Sequence, residues 1–117
     1  MYVEISLDKP RRLRYTINAM RELEKLFGAG IGNIFDPQKV GLDHVVHLIW
    51  VGLKHGGDRR LTVDETGDLL QEHFLDKGKE LREVLDYALE GLRLAGLAPK
   101  AKEEEGSSEN PPTIVAR

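Results

Sequence analysis

The chain has 117 residues, of which 40% are hydrophobic and 32% charged, with a formal net charge of −3. That allows one domain with one modest core, and it argues against a dedicated nucleic-acid binder, which usually carries a basic excess. With no cysteine, disulfides, thiol catalysis and thiolate metal sites are excluded.

There is no apolar run near the roughly 20 residues that a membrane span needs. The first residues carry Glu4 and Asp8 and form no continuous apolar stretch, so a signal peptide is not expected. Charge is unevenly placed. Residues 1–63 hold ten Lys/Arg against seven Asp/Glu, and residues 64–90 hold nine Asp/Glu against three Lys/Arg. Such a split suits either solvated helix faces or steered self-association.

Tyr2-Val3-Glu4-Ile5-Ser6-Leu7 alternates as a strand does, with Val3, Ile5 and Leu7 on one side. Asp8-Lys9-Pro10-Arg11 reads as a turn. Arg12-Leu13-Arg14-Tyr15 alternates again, which predicts a β-hairpin with Leu13 and Tyr15 on the core side. A lone hairpin is marginal, so it must pack on helices or pair with another chain.

Thr16 is placed to cap a helix in which Ile17, Met20, Leu23, Leu26 and Phe27 recur at helical spacing, and Gly28 ends it. Gly28-Ala29-Gly30-Ile31-Gly32-Asn33 reads as a bridge. Ile34, Phe35 and Val40 flank a turn at Asp36-Pro37. A second helix, from about Gly41 to His55, has apolar residues at 42, 45, 46, 49 and 53; Leu48, Trp50 and Val51 widen that face and make the helix central. Gly56-Gly57 stops it.

Thr62 and Glu65 form a capping box for a third helix, from about Val63 to Leu75, with Val63, Thr66, Leu69, Leu70 and Phe74 inward. Asp76-Lys77-Gly78 either breaks it or separates it from the next. The fourth helix turns Leu81, Val84, Leu85, Ala88, Leu89, Leu92 and Ala95 inward and ends at Gly96. The fold expected is mainly α (α+β): a short N-terminal hairpin packed on a bundle of about four helices over residues 1–98. Residues 99–117, with Glu103-Glu104-Glu105 and Pro111-Pro112, read as a disordered tail.

Catalytic chemistry finds little here. His44 and His47 share a helix side, but the HExxH pattern is lacking, so helix-surface imidazoles are expected rather than a metal site. The glycine run 28–32 follows a helix and lacks the Lys-Ser/Thr of a phosphate loop. Arg11, Arg12 and Arg14 suit either phosphate contact or pairing with Glu4 and Asp8. The helix pair at 42–75 could pass for a helix-turn-helix, but Asp64, Glu65, Asp68 and Glu72 on its second helix would repel DNA. No catalytic set can be placed, and no cofactor or metal is expected. Trp50, the single tryptophan, is either core or a partner anchor.

Two stretches resemble the tail assembly chaperones of long-tailed (siphovirus-type) bacteriophages and related gene-transfer particles. One is Leu13-Arg14-Tyr15-Thr16-Ile17-Asn18-Ala19-Met20-Arg21-Glu22-Leu23-Glu24, similar to the family's strand-into-helix opening. The other is Leu48-Ile49-Trp50-Val51-Gly52-Leu53-Lys54-His55 followed by Leu61-Thr62-Val63-Asp64-Glu65, where Gly56-Gly57 lengthens the spacing beyond the family's pattern. The likeness spans roughly residues 1–95.

The resemblance implies a non-enzymatic protein of the bacterial host cytoplasm, absent from the mature virion. It implies binding to the tape-measure protein, a long helical polypeptide, and help in recruiting tail tube protein. It also implies, in many such phages, a longer frameshifted form. Self-association into a homo-oligomer suits many copies on one client, and helix-in-groove binding suits an apolar client stripe. Trp50, Leu53, Leu85 and Leu89 are the expected partner-binding residues. The rival expectation is a structural head-tail connector or tail-completion protein that stays in the particle.

Overall fold

Alternation along Val3–Ser6 builds β1, and Pro10–Leu13 builds β2, antiparallel to it with Val3 opposite Leu13 and Glu4 opposite Arg12. The structure, a computed structural model, describes residues 1–28 and 41–96. The expected glycine bridge after Gly28, the Asp36-Pro37 turn with its flanking apolar residues, and the tail after Pro99 lie outside the described residues.

The turn is shorter than expected. Leu7 N donates to the Lys9 carbonyl at 3.1 Å, and Pro10 already opposes Ser6 as the first residue of β2. Proline is tolerated there because a strand end loses no ladder bond. Val3, Ile5, Leu7, Leu13 and Tyr15 are all buried, as the alternation requires.

Thr16 caps α1 (Ile17–Phe27) by accepting from Ala19 N at 3.0 Å, and Gly28 closes it at φ 67°, in the left-handed region. Ala19, Met20 and Leu23 are the buried residues. Two expected core positions are corrected: Ile17 is 72% exposed and Leu26 45% exposed. The helix buries a narrow stripe centred on Ala19, Met20 and Leu23, and Ile17 lies more than a quarter-turn from it.

α2 (Leu42–His55) is the central element, in contact with α1, β2 and the two later helices. Val45, Leu48, Ile49, Val51, Gly52 and Leu53 are buried. Leu42, expected inward, is 61% exposed because it overhangs the helix start. At the other end the positive φ falls on Gly57, while Gly56 is helical in sign (φ −92°). Gly56 is needed for space: a Cβ there would lie 2.1 Å from the Arg12 carbonyl oxygen.

α3 (Val63–His73) begins with both halves of the capping box, Glu65 N to Thr62 Oγ1 and Thr62 N to Glu65 Oε1, each 3.0 Å. Thr66, Leu70 and Phe74 are buried, with Val63 and Leu69 half-buried. A single 3₁₀ turn, Leu75–Lys77, and Gly78 at φ 81° separate α3 from α4 (Leu81–Leu94). The third and fourth helices are therefore distinct. α4 buries Val84, Ala88, Gly91 and Leu92. The described chain is thus mainly α, an antiparallel hairpin packed on four helices, as expected.

Candidate functional site

The surface around α2 gathers the residues that can meet a partner. Trp50 is half-buried, not enclosed. Its Nε1–H donates to the Leu61 carbonyl at 2.7 Å, pinning the ring to the α2–α3 loop. Lys54 Nζ stands 4.1 Å from the ring centroid, and His47 meets it edge-on with centroids 6.0 Å apart. A cation over an indole face is favourable by roughly 0.5–1 kcal/mol at such a partly exposed site. Trp50 is therefore held rigidly with part of its ring accessible.

Lys54 and His55 both reach Glu22 on α1. Lys54 pairs with one carboxylate oxygen, and His55 Nε2 lies 3.1 Å from the other. Partial burial pushes the Glu22 carboxyl up, but the hydrogen bonds from Lys54 and His55 outweigh it and leave the group below its ordinary value. This cluster ties α1 to the end of α2.

Leu53 has no accessible surface and belongs to the interior. Leu85 and Leu89 are half-buried, along one edge of the buried α4 face formed by Val84, Ala88 and Leu92. Of the four expected partner-binding residues, Trp50, Leu85 and Leu89 therefore have surface to offer, and Leu53 has none.

A second surface lies between the first turns of α2 and α3. It is an open groove of about 680 Å³ lined by Leu42, Val46, Val63 and Gly67, with Asp43, Asp64 and Asp68 around it and no lysine or arginine among the described residues of its lining. Gly67 is mid-helix, where glycine is weaker than alanine by about 1 kcal/mol. Nothing lies within 4 Å of where its Cβ would be. Sequence reasoning missed this groove. The available signal was a glycine inside an otherwise well-formed amphipathic helix, flanked by aspartates.

Arg11, Arg12, His44 and His47 have structural contacts. Arg11 donates to both Asp8 carboxylate oxygens (2.8 and 2.9 Å) and to Asp58 (2.8 Å). The Arg11 guanidinium holds the Asp8 carboxyl down at about 2. Arg12 lies 4.7 Å from the Tyr2 ring centroid and opposite Glu4. Asp8 and Asp58 thus engage Arg11, while Arg12 rests against the Tyr2 ring. His44 Nδ1 accepts from Gly41 N at 3.0 Å, while His47 Nδ1 donates to the Asp43 carbonyl at 2.8 Å. The two imidazoles serve α2 separately. Among the described residues no group of three or more His, Asp or Glu is placed to hold a metal ion.

No protein-family model, curated protein or solved structure matches the chain. What this surface can do chemically is present a rigid aromatic, a leucine edge and an acid-rimmed apolar groove. Among the described residues no helix is long and apolar enough to cross a membrane.

Proposed function

We propose that the protein is a tail assembly chaperone, acting without catalysis in the cytoplasm of a bacterial host. Its client is the tape-measure protein, whose long helix exposes an apolar stripe until the tail tube closes around it. The observation that carries the reading is Trp50, a partly accessible indole locked by Leu61 and Lys54 on the central helix. Rigid aromatics are the usual anchors of interfaces because little entropy is lost when they are covered. The half-buried Leu85 and Leu89 offer α4 as a second contact edge. The resemblance in residues 13–24 and 48–65 supplies the client's identity.

Co-expression with the longest helical reading frame encoded nearby, then pull-down and sizing, tests this. A soluble complex with many copies per client supports it. A closed ring of fixed size that ignores the client, and persists in purified virions by mass spectrometry, overturns it in favour of a head-tail connector.

A further inference from the structure

Three glycines lie inside the described helices. Gly52 and Gly91 have Tyr15 pressed against them, whereas Gly67 faces open space. Glycine weakens a helix relative to alanine, and its use mid-helix marks a place where something comes close. Among the described residues of one copy nothing does. Gly67 sits in the groove beside Val63 and the 61%-exposed Leu42, and among the described residues the groove's charged residues are Asp43, Asp64 and Asp68. Its shape and charge ask for an apolar side chain flanked by cations.

The chain carries such an element on its own surface. Ile17, Arg21 and Lys25 are spaced i, i+4, i+8 along α1, so they form one stripe, and all three are exposed. Ile17, at 72%, is the most exposed large apolar side chain in the described helices. Stripe and groove share no residue. The stripe lies in residues 1–63, which hold ten cations to seven anions, and two of the groove's three aspartates, Asp64 and Asp68, lie in residues 64–90, which hold nine anions to three cations.

We propose that the α1 stripe of one copy docks in the α2–α3 groove of a second copy. Ile17 enters over Gly67 and Leu42, and Arg21 and Lys25 meet the aspartates. The contact is heterologous: unless its rotation closes a ring, each copy added leaves one stripe and one groove free, and the assembly grows. The inference does not rest on the client reading; it requires only this chain.

Sedimentation velocity of the full chain, over a range of concentration and salt, tests it. The average mass should rise with concentration and fall with salt, since the steering charges are exposed. The pair Asp64→Lys and Asp68→Lys should weaken association roughly a hundredfold or more, as should the pair Arg21→Glu and Lys25→Glu. Mixing these two reversed proteins should restore assembly, because each surface then meets its complement. Gly67→Leu should abolish assembly while the helical circular dichroism of the monomer holds and its melting temperature does not fall. A wild-type monomer at every concentration overturns the proposal. So do folded reversed proteins that assemble unchanged alone or stay monomeric when mixed.

Discussion

The Tyr15 hydroxyl donates to the Leu48 carbonyl at 2.7 Å inside the protein. The ring reaches that point through a slot between two helices. A Cβ at Gly52 would lie 2.6 Å from the hydroxyl oxygen, and one at Gly91 3.0 Å from the ring. Tyr15→Phe keeps the ring and removes the bond, and should lower stability by about 1 kcal/mol in urea melts. Gly52→Ala gains helix propensity but overfills the slot, and should be net destabilising by about 1–3 kcal/mol. A more stable Gly52→Ala protein would show that the slot is loose.

Burial raises the Tyr15 phenol well above its ordinary value of 10.0. In the unfolded chain the phenol ionises near that ordinary value, so above it the unfolded state binds fewer protons than the folded state. Stability is then full below pH 10 and falls as pH rises beyond it. Tyrosinate absorbance should report Tyr15 ionising together with loss of helical circular dichroism. The Tyr15→Phe protein should lose part of this alkaline sensitivity.

Glu22 links α1 to Lys54 and His55, and its carboxyl is held below the ordinary value of 4.5. A depressed carboxylate stabilises above its unfolded pKa, and that contribution is lost as pH falls through the folded one. Glu22→Gln should cost about 1 kcal/mol or less near neutrality, since the three side chains are about a quarter exposed. The difference from wild type should vanish under acid conditions. A constant difference across the whole acid range would mean that packing, not charge, is being measured.

Leu53 and Leu89 separate core from surface. Leu53→Ala empties space in a fully covered site and should cost about 2–5 kcal/mol. Leu89→Ala removes a half-buried side chain and should cost less. If the client reading holds, Leu89→Ala and Trp50→Ala should weaken client binding in protein that remains folded by thermal melting. Folded variants at both positions that bind the client as wild type does would exclude this surface.

Much of the fold was legible because the signals are local. The Thr62–Glu65 box needs only four residues, and both its bonds form. Alternation placed Val3, Ile5, Leu13 and Tyr15 in the core. Periodicity failed at helix starts, where Ile17 and Leu42 match the apolar spacing but are exposed, with no neighbour among the described residues covering them. The break between α3 and α4 was left open, since Asp76-Lys77-Gly78 permits either outcome until Gly78 adopts its positive φ. The Glu22–Lys54–His55 cluster joins residues more than thirty positions apart, and the Gly67 groove depends on how two helix starts converge. The cluster leaves no short-range pattern, and the groove leaves only its mid-helix glycine among aspartates.

Tyr15 is made well before α4, yet one wall of its slot, Gly91, belongs to that helix. During synthesis the hairpin and the first two helices emerge with that flank bare. The tyrosine gains its full enclosure only when α4 has left the ribosome and swung back. Until then the growing chain holds an unfinished joint, and the rate at which α4 closes it sets how long the apolar side of the hairpin stays open to its neighbours.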